Sequence, residues 1–252
     1  MAGFETHSYD NPEVLAPKIR RRYEFLEVRS ACAIMKAVSP NEWIDITEVL
    51  ERFSYSADLL LRAGGNNSEM AEKLNDALRE RGWYECAYER ETKGRITFRS
   101  AGIPDEDLGT LTESSYWVDN RKGRILVDVE WNAKDGNLDR DLAAYRAWYE
   151  AGLIDAAMII TKHREDLLKT ACKLWAPHLD TTPEAVEKAS RKARKARTDQ
   201  DKRIALPLDL TTTTVTSLTK ARDRVFRSEA GTCPVVVVGI NGATWDGTPY
   251  QA

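Results

Sequence analysis

Apolar residues recur along this chain in two rhythms, and the change from one to the other outlines its elements. Over residues 17–38, Ile19, Tyr23, Leu26, Ala33, Ile34 and Ala37 recur at roughly helical spacing. This predicts a long first helix, opened by Asn11-Pro12-Glu13 or by Pro17. After the break at Ser39-Pro40-Asn41, Trp43, Ile46, Val49, Leu50 and Phe53 predict a second helix. Gly64-Gly65-Asn66-Asn67 reads as a loop, and Ser68 caps a helix to about Arg81 that Gly82 terminates. Residues 83–90 and 96–99 read as strands about a Lys93-Gly94 turn, and residues 103–115 as an acidic loop. Further on, Leu138, Leu142, Tyr145 and Tyr149, with Trp148 beside them, mark one stripe of a helix over 138–152. That stripe suits packing on the chain's own sheet or against a second copy across a two-fold axis. Residues 153–161 and 234–240 are apolar enough for buried strands, and Leu167, Leu168, Ala171, Cys172 and Trp175 mark a helix between them. Residues 206–219, with the Thr211 to Thr214 run, form a strand or a loop, and 241–252 a polar tail. Strands and helices in this order predict an α/β fold with a central mixed sheet flanked by helices.

Alternation is sharpest within residues 116–135. Ile125, Val127, Val129 and Trp131 share one side of a strand, and Leu126, Asp128 and Glu130 share the other. Asp119 precedes Asp128 by nine residues, and the polar stretch Asn120-Arg121-Lys122-Gly123-Arg124 between them is turn-like. A chain reversal there brings Asp119 to Asp128 and Glu130. Three converging carboxylates repel one another unless a cation or a proton intervenes. Hard oxygen donors suit Mg²⁺, which keeps water and substrate phosphate in its shell, and such a site serves phosphodiester hydrolysis. The same alternation also describes the wet face of an ordinary half-exposed sheet.

The block from Asp119 to Glu130 resembles the catalytic pattern of the BglII/BamHI/BstYI-like branch of the PD-(D/E)xK nuclease superfamily, the type II restriction endonucleases. The lead-in Arg121-Lys122-Gly123-Arg124 is similar too, as are the strand-like segments 157–162 and 234–240 and the N-terminal stretch 9–15 followed by a helix. Asp128 stands where the closest relatives carry Glu, one methylene longer. Glu130 stands where the wider superfamily carries Lys and the BglII branch Gln, and is similar to the BamHI branch. The resemblance implies a restriction-endonuclease-like core in one domain spanning 1–252. Within it, 1–100 is mainly helical, 116–162 holds the catalytic core, and 180–232 is a basic DNA-recognition region. It further implies Mg²⁺-dependent hydrolysis of double-stranded DNA at a short palindromic site, with Mn²⁺ able to substitute and four-base 5′ overhangs left. Asp119, Asp128 and Glu130 are then catalytic and metal-binding, with water activated by Glu130 or by the metal alone. An upstream helix sometimes lends the family another acid, and Glu69 and Glu72 are candidates here. Residues just past the last catalytic position help read bases in the family, which implicates Asn132 and Ala133, while Lys134 is a candidate phosphate contact. The implied partners are a second copy of the chain in a homodimer and, elsewhere in the cell, a cognate DNA methyltransferase that it does not touch. The implied location is a bacterial or archaeal cytoplasm.

Composition adjusts this picture little. The 252 residues are 42% hydrophobic, and the formal charge of −3 does not advertise a nucleic-acid binder, although binding follows the local field rather than the total. Basic residues are nevertheless grouped. Residues 188–203 carry Lys188, Arg191, Lys192, Arg194, Lys195, Arg197, Lys202 and Arg203, followed by Lys220, Arg222, Arg224 and Arg227. These are solvated helix faces or DNA contacts, with Arg191, Arg194, Arg222, Arg224 and Arg227 the candidates. Lys162, before His163-Arg164 at a strand end, is placed at the edge of a groove. Four cysteines and three histidines are scattered without metal-ligand spacing, so zinc and disulfides are not expected. There is no signal-like start and no membrane-length apolar run. Two other functions fit the same residues: a structure-selective repair or recombination nuclease, and a non-catalytic DNA-binding module.

Overall fold

The structure is a computed structural model that describes residues 5–62, 68–134, 136–192 and 206–251. Its centre is set by three runs of apolar residues: β7 (Ile125–Glu130), β8 (Ala156–Lys162) and β9 (Val235–Ile240). Strands that are apolar on both faces require cover on both faces, the signature of parallel strands inside an α/β protein. These three pair in parallel in the order β9-β8-β7. Antiparallel strands extend the sheet at each end, giving β1-β2-β9-β8-β7-β6-β3 with β1 Glu5–Thr6, β2 Tyr23–Val28, β3 Tyr84–Cys86 and β6 Val118–Lys122. The expected mixed sheet flanked by helices is borne out.

One face, carrying Ile125, Val127, Val129, Met158, Ile160, Val236 and Val238, packs under residues of α2 (Ala31–Val38), α3 (Pro40–Arg52), α5 (Glu69–Arg79) and α7 (Arg164–Trp175). The other, carrying Leu126, Ala157, Ile159, Val235 and Val237, packs under α6 (Gly136–Glu150) and α10 (Leu218–Phe226). Asp128 therefore faces a helix rather than water and is 2% exposed, which removes the wet-face reading of the strand. Among the described residues no helix is long and apolar enough to cross a membrane, and no disulfide joins any of Cys32, Cys86, Cys172 and Cys233.

The predicted long first helix is corrected to a short α1 (Pro17–Arg20), strand β2, and α2. Ile19, Tyr23 and Leu26 mimic helical spacing across a boundary, yet Tyr23, Phe25 and Leu26 pair with Ile240, Val238 and Val237 of β9. Arg29 and Ser30, both at positive φ, then turn the chain into α2. The N-terminus of α2 has no cap of its own. Instead the buried carboxylate of Glu27 in β2 accepts from the Cys32 N–H at 2.9 Å, from the Ser8 hydroxyl at 2.9 Å, and from the Ser8 N–H. Replacing Glu27 with Ala orphans all three donors. The expected loss is about 3 kcal/mol of folding stability, read by urea denaturation. A loss below about 0.5 kcal/mol, the level of ordinary surface changes, would show that water replaces the carboxylate.

The 89–115 region is corrected as well. Lys93-Gly94 is not a turn but lies inside β4 (Glu89–Ile96), and the supposed acidic loop is largely β5 (Glu106–Ser114), paired with it. This hairpin is exposed nearly throughout, so its sequence lacks the apolar alternation that marks a half-buried strand. Residues 206–219, open from sequence to strand or loop, contain the short helix α9 (Leu208–Thr211) and an isolated antiparallel bridge between Val215 and Lys134. Helix α8 (Pro183–Lys192) opens on a proline and carries the start of the basic run, while the short α4 (Ala57–Leu61) upstream is too brief to carry a periodic signal.

Candidate active site at the end of β7

The β6–β7 hairpin turns tightly at Gly123-Arg124, with Lys122 opposite Ile125. Gly123 sits at φ 52°, and a Cβ there would meet a Glu42 carboxylate oxygen at 2.6 Å, so both backbone and space call for glycine. The regular ladder runs only to Asn120 opposite Val127. Beyond it, side chains replace backbone partners. The Asp119 N–H donates to Asp128 Oδ1 at 2.7 Å, and the Val129 N–H donates to Asp119 Oδ2 at 3.1 Å. This exchange holds the two carboxylates where the strands part.

A cleft of about 430 Å³ opens at that point. Asp119, Glu130, Asn132, Ala133 and Lys134 line it, with Ser68 and Ala71 of the α5 start on one side and Asn137 of the first turn of α6 on the other. The predicted acids and the three residues after them are thus brought to one place. Asp128 lies behind the cleft, where the Tyr145 hydroxyl donates to its Oδ2 at 2.5 Å. Asp141, one turn before Tyr145 on the buried stripe of α6, is hydrogen-bonded to Glu130 and makes a fourth carboxyl group in the cluster.

Burial is the largest influence on all four acids and pushes their pKa values up. Asp119 is raised by burial and by the charge of Glu85. Asp128 is pushed up to about 8 by burial and by the neighbouring Asp119, Glu130 to about 7 by the same two causes, and Asp141 to about 9 by burial and by Asp128, Glu130 and Asp119. Such a cluster holds protons at neutral pH unless a cation displaces them.

The donor set fits a hard divalent cation. It consists of carboxylate oxygens, one of which, Asp141 Oδ2, is buried without a hydrogen-bond partner, and a magnesium ion needs only one or two protein carboxylates beside water and phosphate. The cluster is not a finished cage. Among the described residues no three Asp, Glu, His or Cys side chains are placed to close around an ion; both oxygens of Asp128 accept hydrogen bonds, from the Asp119 N–H and the Tyr145 hydroxyl.

Three residues of the site are not singled out by the sequence pattern. Asp141 is a polar residue within the apolar stripe of α6, which is the available signal. Tyr145 reads from sequence only as packing. Asn75 of α5 meets Asn120 at 2.7 Å and is hydrogen-bonded to Asp119, so α5 approaches the acids through an amide. The suggested Glu69 pairs with Arg62 instead, and Glu72 is exposed.

Several basic candidates are placed differently from expectation. Lys162 is fully buried, donating to the Trp131 carbonyl, with its ammonium 5.2 Å from the Trp131 ring centre. Burial lowers its pKa to about 8. It sits at the end of β8 but faces the core, because Ala156, Met158 and Ile160 on the same side of the strand do. Arg224 forms ion pairs with Asp139 of α6 and with Glu229, so its charge is matched within the fold rather than standing free over a groove. Arg227 lines the same shallow hollow, and Arg222 is exposed with its guanidinium over Phe226. Of Arg191 only the backbone, at the end of α8, is described. Arg194 and the rest of the run over 193–203 lie outside the described residues.

The family model for restriction endonuclease BglII/BglIII matches residues 23–240. No curated protein matches the chain.

Proposed function

Because the chain belongs to the BglII/BglIII restriction endonuclease family, we propose that its β7 cluster cuts both strands of a short palindromic DNA site with Mg²⁺. Membership makes it a site-specific deoxyribonuclease, in a family that generally uses divalent metal ions. The observation that supports this location for the chemistry is the set of acids at the mouth of β7, two of them in the wall of an open cleft.

In this reading Asp119, Asp128 and Glu130 hold the metal, with Mn²⁺ able to replace Mg²⁺. When bound, the cation polarises the phosphoryl oxygen and acidifies a water. Asp119 and Glu130 face the substrate. Tyr145 and the Asp119 N–H hold Asp128 in one orientation. Glu130 Oε accepts the proton of the attacking water. The starts of α5 and α6 flank the cleft, and their N-terminal ends favour phosphate oxygens. Lys134, exposed beside them, contacts the backbone, while Asn132 and Ala133 reach base edges. Arg222 and the segment carrying Arg191 and Arg194, within the 180–232 part of a single domain, supply further phosphate and base contacts. A homodimer places two such clefts on one palindrome and leaves 5′ overhangs. The setting is the cytoplasm of a cell whose own sites are methylated.

Incubating the purified protein with plasmid DNA of known sequence, with Mg²⁺ or with chelator, tests this. Discrete Mg²⁺-dependent fragments are expected, their mapped ends giving the site and overhang. A Mg²⁺-dependent smear would move the function to a structure-selective nuclease, and intact plasmid with both Mg²⁺ and Mn²⁺ would remove the catalytic role from the cluster.

A further inference from the structure

The ladder of β7 ends at Glu130, opposite Thr161 of β8, and the chain then leaves the sheet. Residues Glu130 to Lys134 all line the cleft. Carbonyls past the end of a ladder have no strand partner, and buried ones need donors. Here side chains supply most of them. The Thr161 hydroxyl donates to the Glu130 carbonyl at 2.7 Å, and the Lys162 ammonium donates to the Trp131 carbonyl. The Ala133 carbonyl accepts from the Thr216 hydroxyl at 3.1 Å and from the Thr216 N–H at 2.9 Å. The Trp131 ring is fixed too, because its Nε1–H donates to Asp209 Oδ2 of α9 at 3.0 Å and Lys162 Nζ sits over its face. Thr161, Lys162 and Thr216 are all 0% exposed. An ammonium is a costly donor to bury when a neutral group would satisfy one carbonyl, but a charge-assisted bond is about twice as strong as a neutral one. The exit of β7 is therefore held more firmly than carbonyl satisfaction alone requires.

We propose that Thr161, Lys162 and Thr216 are positioning residues that fix the two ends of this cleft wall separately. Thr161 and Lys162 set Glu130 against the scissile phosphate, and Thr216 sets the Asn132 to Lys134 end against the DNA. This rests on the nuclease reading of the β7 cluster and adds to it a division of labour along one wall. Each of the three acts through a main-chain carbonyl. A shift of about 1 Å at a reacting group is enough to cost up to about a hundredfold in rate. Slack at Glu130 is therefore felt in the chemical step, and slack at Ala133 in the grip on DNA.

The test is steady-state plasmid cleavage by the full-length protein with Mg²⁺, separating kcat from KM. Thr161→Val, which removes only the hydroxyl, is expected to lower kcat about tenfold and leave KM within about twofold. Thr216→Val should do the reverse, raising KM about fivefold with kcat within about twofold, the smaller effect because its N–H still holds Ala133. Lys162→Met, which keeps the stem without the donor, should lower kcat further than Thr161→Val. Thr161→Ser and Thr216→Ser restore the hydroxyl and should restore the parent values. Thr47→Val removes a hydroxyl-to-carbonyl bond within α3 and should match the parent. Loss of folded protein lowers kcat alone, so the KM effect at Thr216 and the Ser rescues mark positioning rather than stability. Val variants that change neither constant, or that both lower kcat only in proportion to the folded fraction seen by circular dichroism, overturn the proposal. A parent that cuts no DNA with Mg²⁺ or Mn²⁺ overturns it together with the nuclease reading. If Asp119→Asn abolishes cleavage while both Val variants match the parent, the nuclease reading stands and only the positioning roles fall.

Discussion

Asp119→Asn is expected to lower Mg²⁺-dependent cleavage of plasmid DNA by roughly a thousandfold, the scale of losing one electrostatic partner of a phosphoryl or acyl transition state. Asn is nearly isosteric and keeps an oxygen to accept the Val129 N–H, now at 3.1 Å from Asp119 Oδ2. The fork between β6 and β7 should therefore persist, and the loss should appear in kcat rather than in folding. The charge, not the shape, is removed from the cleft wall. Asp128→Asn should lose as much activity, but its metal-free form should melt no lower than the parent. A buried carboxyl raised by its neighbours is there replaced by a neutral amide that can still accept from the Asp119 N–H. Cleavage rates within about threefold of the parent for Asp119→Asn would sink the assignment of the site, whatever the family. Near-ultraviolet circular dichroism and melting temperature separate that result from misfolding.

The metal-free protein should lose stability as pH rises, the opposite of the usual carboxylate behaviour. Asp128, Glu130 and Asp141 have folded-state pKa values of about 8, 7 and 9, above their ordinary values. An acid raised in this way contributes its full stability below the unfolded pKa, near 4, and loses it as pH climbs through the folded pKa. The window is therefore about pH 5 to 9. Raising one pKa by a single pH unit corresponds to about 1.4 kcal/mol, and because the three acids interact their contributions do not add. A melting temperature lower by on the order of 10 °C at pH 8 than at pH 5, in chelator, is a reasonable scale for a chain of this length. Lys162 acts in the other sense only above about pH 8, where its lowered pKa lets the folded protein release the proton first. Excess Mg²⁺ should flatten the curve, because the cation neutralises what otherwise needs protons. Differential scanning calorimetry across pH, with chelator and with Mg²⁺, reads this directly. A metal-free profile that rises from pH 5 to 8 would mean that the acids are solvated rather than clustered.

Much of the site was legible because a strand has period two and a hairpin folds back on itself. Asp128 and Glu130 share a face by that rule alone, and the glycine-containing turn returns Asp119 to them. Asn132 and Lys134 follow by chain continuity. Asp141 was not legible in this way. Its approach to Glu130 depends on how α6 lies across β7, eleven residues further along the chain. The direction of Lys162 was equally hidden. Being at a strand end predicts exposure, but the face it shares with Met158 and Ile160 is covered by the N-terminal helices.

The sequence by itself determined the α/β class, the buried strands and the convergence of three acids, because continuous apolar runs and local alternation express short-range geometry. Tertiary structure decided the rest. It separated β2 from a helical-looking run by offering it β9 as a partner, and it paired the polar segments β4 and β5 through their backbones, which carry no side-chain signal. It also drew an Asp and a Tyr from α6 onto the carboxylates. Each of these turns on which surfaces cover one another, and a pattern along one chain does not contain that until the layers pack.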